Sequence, residues 1–302
     1  MAESGKEVTV LSDPVLGKDA RIYRHFGLGV LFAVACFGIL VPVWRSAADE
    51  NRSQAIAAVK ALEGAGNPDE RTEAIRDLVR SVVIEAAIVI PPLIGSLADP
   101  AVEVRVEAAR SLGPATSAAA LSGDVERVSS AVAGLKQALN DQVPAVRIAA
   151  VFSLSSIAAS NNPAGVIQPP ELVRALTAML DDPDSTVRAS TIAALGVAGP
   201  IASPEPSSAL LEALNDESSF NRAAAARALA RFPQGLNDHS IAAILGLLQI
   251  ERDDSPVREA CIEVLNQVNS RQFTARELAG FRAALVVRDP QVNSWKTGRG
   301  ED

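Results

Sequence analysis

Histidine and cysteine are nearly missing from this 302-residue chain, with two of each. His25 and His239 stand far apart, which leaves no histidine pair for an acid–base relay or a metal site. Cys36 and Cys261 make no disulfide framework. Aromatic residues are scarce, at 4% of the chain. Any core must therefore come from Ala, Leu, Val and Ile, which a 48% hydrophobic composition supplies amply. Basic residues are outnumbered, 28 Lys and Arg against 36 Asp and Glu, for a formal net charge of −8. That balance argues against a nucleic-acid partner, whose phosphates need Lys and Arg to neutralise them. Glycine-rich phosphate loops and a nucleophile elbow are absent too.

The few chemically suggestive residues have structural explanations. His239 sits in Asn237-Asp238-His239-Ser240, where a helix begins, and reads as part of a capping turn. Cys261 occupies a position held elsewhere in the chain by Ala or Thr, which makes it a small core residue with an unreactive thiol. The run Asp181-Asp182-Pro183-Asp184 lacks the spaced oxygen ligands and terminal Glu of a calcium loop, and suits a helix-joining turn better. The expectation is a chain with no catalytic residue, no cofactor-binding residue and no metal ligand.

Residues 1–25 are polar and of mixed charge, and read as a disordered tail. Phe26–Trp44 then runs without a charged residue. Its nineteen residues span roughly 28 Å as a helix, close to the hydrocarbon thickness of a bilayer. Gly27, Gly29, Gly38 and Pro42 are tolerated in spanning helices, while Tyr23 and Trp44 flank the run where interfacial aromatics belong. The expectation is a single transmembrane helix over 26–44, followed by a short linker over 45–51. The alternative is a cleaved signal peptide ending near Ser46-Ala47-Ala48. Lys18, Arg21 and Arg24 precede the run, and Arg45 and Arg52 follow it. That bias predicts a cytoplasmic N-terminus and an extracytoplasmic C-terminal part. His25 reads as an interfacial flank, and Cys36 as packed in lipid or against another helix.

From about Arg52 a repeat takes over. Arg71, Arg105, Arg147, Arg188, Arg222 and Arg258 recur at intervals of 34, 42, 41, 34 and 36 residues. Each stands seven residues before a Leu: Leu78, Leu112, Leu154, Leu195, Leu229 and Leu265. Three and four residues after each Arg come small or aliphatic residues, such as Ala108-Ala109 and Ala150-Val151. Offsets of three, four and seven define one face of an α-helix. A second apolar stretch precedes each arginine helix, for example Val132–Leu139, Leu172–Leu180, Ala209–Leu214 and Ile241–Ile250. Turns with Asp, Asn and Pro join the two, where Asp caps a helix and Pro opens one. Each unit is thus two antiparallel helices, and stacked units share a core that one unit alone cannot bury.

The pattern L-x-D-x-x-x-x-V-R-x-x-A-x-x-x-L resembles HEAT repeats, especially the short bacterial type named after phycobilisome lyases. The resemblance covers about residues 52–290. It implies an all-α fold: an α-solenoid, armadillo-like, of about six helix pairs plus a capping helix (Phe273–Val287), preceded by the transmembrane helix. It also implies a ladder of turn Asp and second-helix Arg along the stack. Asp99/Arg105, Asp141/Arg147, Asp182/Arg188 and Asp216/Arg222 keep a spacing of six residues. The unit at Arg258 departs, with Arg252 in the Asp position and Asp253 beside it, and the first unit has Glu63 near the turn but no Asp there. Thr116–Asp124 and Ser160–Pro170 read as longer connections between units. Pro91-Pro92 is expected to kink or restart its helix, and residues 291–302 form a second disordered tail.

Outward positions of the second helices include Arg76, Glu107, Arg110, Ala149, Phe152, Ser190, Ala193, Ala224 and Arg227, small or apolar in the middle and charged at the flanks. The functional expectation is a membrane-anchored protein-binding scaffold or adaptor, not an enzyme, with protein partners and membrane contact through residues 26–44. The alternatives are an accessory subunit of a membrane complex, or a bilin lyase or isomerase of the kind the repeat type resembles. The dinuclear-iron hydroxylases built on HEAT repeats carry His-Glu pairs, and this chain has no His-Glu dipeptide.

Overall fold

The computed structural model describes residues 49–80, 86–160, 169–202, 205–232, 238–251 and 255–269. The chain divides into two compact units, Met1–Asn51 and Arg52–Asp302; the architecture below is that of the second. The tails, the 26–44 segment, the stretch 273–287 expected to cap the stack, and His25 and Cys36 lie outside the described residues. Among the described residues no helix is long and apolar enough to cross a membrane.

Twelve α-helices are described, two to each unit: α1 (49–64) and α2 (Pro68–Arg80), α3 (Ala86–Ser96) and α4 (Val102–Leu121), α5 (Val125–Ala138) and α6 (Pro144–Ala159), α7 (Pro169–Thr177) and α8 (Ser185–Ala202), α9 (Glu205–Glu212) and α10 (Ser219–Ala230), and α11 (Asp238–Ile250) and α12 (Pro256–Asn269); from the second unit on, the two helices of each unit pack together. Short 3₁₀ turns, Ala178–Asp181 and Ala213–Asn215, tighten the ends of α7 and α9. The first described helix already includes residues 49–51, within the stretch read as a linker.

The even-numbered helices stack on one another, α2 on α4, α4 on α6, α6 on α8, α8 on α10 and α10 on α12. The offsets read from the sequence are the ones that pack. Ala108, Ala109 and Leu112 are fully buried, as are Ala150, Val151 and Leu154, and Thr191, Ile192 and Leu195. In the last unit burial loosens, with Ile262 and Leu265 only partly covered. One continuous core runs from Ala55 to Val264, because each pair covers its apolar face with its neighbours.

Small residues set how closely the even helices approach. A Cβ on Gly113 would lie 3.0 Å from Ser153 Oγ and 3.3 Å from Ser153 Cα, and one on Gly196 would lie 3.2 Å from Ala228 Cβ. Ser155 Oγ, equivalent in register to those glycines, donates to the Ala194 carbonyl at 3.0 Å. In the repeat frame, position eight after the Arg of one unit meets position six after the Arg of the next.

Two expectations are corrected. Thr116–Asp124 is not a loop, since α4 continues through Pro114 to Leu121. Pro114 has no N–H for the Arg110 carbonyl. Ser153 Oγ of α6 lies over this stretch instead, donating to the Ala109 carbonyl at 2.7 Å and reaching the Arg110 carbonyl at 3.4 Å. The helix ends at Gly123, whose φ of 75° suits glycine. There Asp124 N–H donates to the Ala119 carbonyl and Gly123 N–H to the Ala120 carbonyl, a Schellman closure. Asp124 then caps α5 by accepting from Arg127 N–H. Of the kink or restart expected at Pro91-Pro92, the restart is the part corrected: α3 runs on through both prolines.

Candidate functional site

Arg and Asp side chains at the unit junctions form a ladder whose wiring differs from simple pairing within a unit. Each Arg reaches the carboxylate of the next unit. Arg147 Nε and Nη2 donate to Asp182 Oδ2 and Oδ1 at 2.7 and 2.8 Å. Arg71 joins Asp99, Arg105 joins Asp141, and Arg188 joins Asp216 in the same two-pronged way. The six-residue spacing within a unit serves the backbone: Arg105, Arg147, Arg188 and Arg222 donate through Nη1 to the carbonyls of Asp99, Asp141, Asp182 and Asp216. Each of those Asp carboxylates also accepts the N–H two residues on, at Ala101, Val143, Asp184 and Ser218. One carboxylate thus shapes its own turn and ties it to the preceding unit.

The ends of the ladder follow from this wiring. The first turn has no preceding Arg to receive, so it needs only a cap. Asn67 accepts from Glu70 N–H, and Glu70 accepts from Gly66 N–H, close to a capping box. At the last junction Arg222 pairs with Glu251 at 2.7 Å. Glu251 was missed in the sequence because it stands one residue before the Asp position; its extra methylene makes up the reach.

The electrostatics match the geometry. Burial pushes the Asp141 carboxyl up, but the bonds from Arg105 and Val143 N–H and the charges of Arg105 and Arg147 outweigh it and hold the group below its ordinary value. Asp216 behaves likewise, with burial opposed by Arg188, Ser218 N–H and Asn221. The side-chain bond to Asp182 raises Arg147, and the bond to Asp216 raises Arg188. Burial pushes the Cys261 thiol up to about 12, and it lies fully covered in the core.

The Asp181–Asp184 run is a helix-joining turn. Asp182 belongs to the ladder, and Asp184 caps α8 by accepting from Thr186 N–H and Thr186 Oγ1. A polar cavity of about 560 Å³ opens beside it, between the fourth and fifth units. Its Arg188 is held by Asp216 and Glu217. Among the described residues no group of three or more His, Cys, Asp and Glu side chains is placed to hold a metal ion. His239 stands at the second position of α11.

One candidate surface for a partner is the outer face of the even helices. Positions five and nine after each Arg point outward: Arg76 and Arg80, Arg110 and Pro114, Phe152 and Ser156, Ala193 and Val197, Arg227 and Arg231, all exposed. Phe152 and Val197 are each 50% exposed. Ala149 is the one outward candidate that fails, being buried, while Glu107, Ser190 and Ala224 are half-buried. Across α6 and α8 the outer face carries no exposed charge, in a chain that is 21% charged. Arg76 is occupied by Glu73 and Glu107, Arg80 by Asp77, and Arg227 by Glu263.

A stack of antiparallel helix pairs with one core and an exposed repeating face defines an α-solenoid, an architecture typical of protein-binding scaffolds. The chain belongs to the HEAT-repeat family: the model for HEAT repeats matches residues 90–196, 132–230 and 173–266, together more than half of the chain. No curated protein sequence matches it. Among solved structures, the Pds5–Scc1 complex aligns with a TM-score of 0.52 at 15% identity, over 82% of this chain and 42% of that one. A designed armadillo repeat protein in complex with the peptide (KR)4 aligns with a TM-score of 0.51 at 20% identity, over 70% of this chain and 98% of that one. These likenesses bear on the fold alone.

Proposed function

We propose that this chain is a membrane-anchored scaffold that holds a partner protein on the outer face of its even helices and carries out no catalysis itself. The observation that carries the reading is the charge-free, partly apolar face across α6 and α8. Phe152 and Val197 are exposed on neighbouring helices within this uncharged strip, and apolar exposure rimmed by polar residues supports an interaction surface. The anchor rests on the uncharged run Phe26–Trp44 and its flanking aromatics. With the cytoplasmic N-terminus that the flanking basic residues favour, the solenoid and its partner share the extracytoplasmic side.

Three measurements test the reading. Carbonate extraction of native membranes is expected to leave the chain in the pellet, and protease is expected to reach its C-terminal tail from the extracytoplasmic side. Release by carbonate, or a mature N-terminus near Ala48, removes the anchor. Purification of the full chain in mild detergent is expected to recover a specific protein that a Phe152→Ser, Val197→Ser variant loses. Recovery of none defeats the scaffold.

A further inference from the structure

The charge-free strip is bounded by two arginines. Arg110 on α4 and Arg231 at the end of α10 are exposed, and neither has an ion-pair partner among the described residues. Their neighbours in register, Arg76, Arg80 and Arg227, all have one. Between them lie Phe152 and Val197. Along a line that takes position five on α4 and α6 and crosses to position nine on α8 and α10, the order is cation, apolar, apolar, cation.

Resting on the scaffold reading, we propose that this strip receives an extended segment of the partner protein, with bulky apolar side chains in its middle and carboxylates at both ends. From α4 to α10 there are three helix-to-helix steps of about 8–10 Å, or roughly 24–30 Å. An extended chain advances about 3.3 Å per residue, which sets the carboxylates about seven to nine residues apart. Each helix contributes two exposed positions one turn apart, about 5.4 Å, a width that fits a single strand better than a helix about 10–12 Å across. The sign of the charge is the discriminating part. This chain has a net charge of −8, so unspecific attraction favours basic peptides. A preference for acidic ends runs against that background and comes from the local arginines.

The test uses the full chain in detergent micelles and fluorescein-labelled synthetic peptides. Each has a Leu-Trp-Leu centre and either two glutamates or two lysines at each end, with end spacings of five, nine and fourteen residues. Fluorescence anisotropy is expected to show the glutamate-ended, nine-spaced peptide binding at least tenfold tighter than its lysine-ended counterpart and than the other spacings. Phe152→Ser with Val197→Ser should weaken it at least tenfold. Arg110→Glu with Arg231→Glu should reverse the preference toward lysine ends, which a loss of folding does not do. Equal binding of both charge types, indifference to the surface variants, or tighter binding of a helical peptide with the same end separation overturns the proposal. A dimer that Phe152→Ser converts to monomer does so too, since a second copy then owns the face. Photo-crosslinkers placed at position 152 and, separately, at Ser129 on α5 separate the two claims. Crosslinks to a partner from position 152, together with peptides that show no preference of charge or spacing, leave the scaffold face standing and sink this docking site; crosslinks from Ser129 alone, or from neither position, sink both.

Discussion

Asp182 shows how much a single carboxylate does in this fold. Its side chain is 4% exposed and that of its partner Arg147 is 10% exposed. Removing one member of a buried pair strands the other charge, at a cost of about 3–5 kcal/mol. Asp182→Ala is therefore expected to lower the urea midpoint sharply. Asp77→Ala, at a pair 48–73% exposed, should change stability by about 0–1 kcal/mol. Equal effects would mean that the ladder is only decoration. Asp141 and Asp216 are held below their ordinary pKa, so the fold binds fewer protons there than the unfolded chain. Their contribution is fully present above the ordinary Asp value of about 3.9 and drains away as pH falls through the folded-state values. Acid titration of stability below about pH 4 should be shallower in Asp141→Asn than in the parent; an unchanged slope refutes the linkage.

At the scale of the element, the register of two small residues decides whether neighbouring helices meet. Gly113 faces a backbone atom of Ser153 at 3.3 Å, which cannot rotate away. Gly113→Ala should destabilise, since overpacking costs about 1–3 kcal/mol. Gly246, inside α11 and exposed, has nothing within 4 Å of an added Cβ. Gly246→Ala should stabilise by up to about 1 kcal/mol through helix propensity alone. Opposite signs in thermal denaturation check the assignment. The same contrast explains a misreading of the sequence. Thr116–Asp124, preceded by Gly113-Pro114 and closed by Gly123-Asp124, reads in the sequence as a connection between units. Only the second pair is a break, because its glycine takes a positive φ, while Ser153 of the next unit lies over the carbonyls beside Pro114.

For the whole solenoid, contacts reach only from one unit to the next. Arg147→Ala strikes a central junction and is expected to split urea unfolding into two transitions. Arg71→Ala strikes an end junction and should raise amide exchange in α1 and α2 while the centre stays protected. A single cooperative transition in both variants would show that coupling extends beyond nearest neighbours. The binding face obeys the same arithmetic, since its middle comes from α6 and α8 and its rim from α4 and α10.

The periodic offsets of three, four and seven, with Asp and Pro in the turns, determined the helix pairs, their count and the buried face, because helical geometry is local and the repeat restates it six times. The tertiary structure alone decided the wiring. A spacing of six residues links Arg and Asp within a unit, yet the guanidinium spans to the carboxylate of the next unit and leaves its own Asp only the carbonyl. It alone decided that Glu251 replaces the missing Asp, that α4 passes its proline, and that Ala149 is covered while Phe152 is not. Each of these depends on which unit lies beside which, and at what distance, a relation between segments 28 to 44 residues apart that no single stretch of sequence contains.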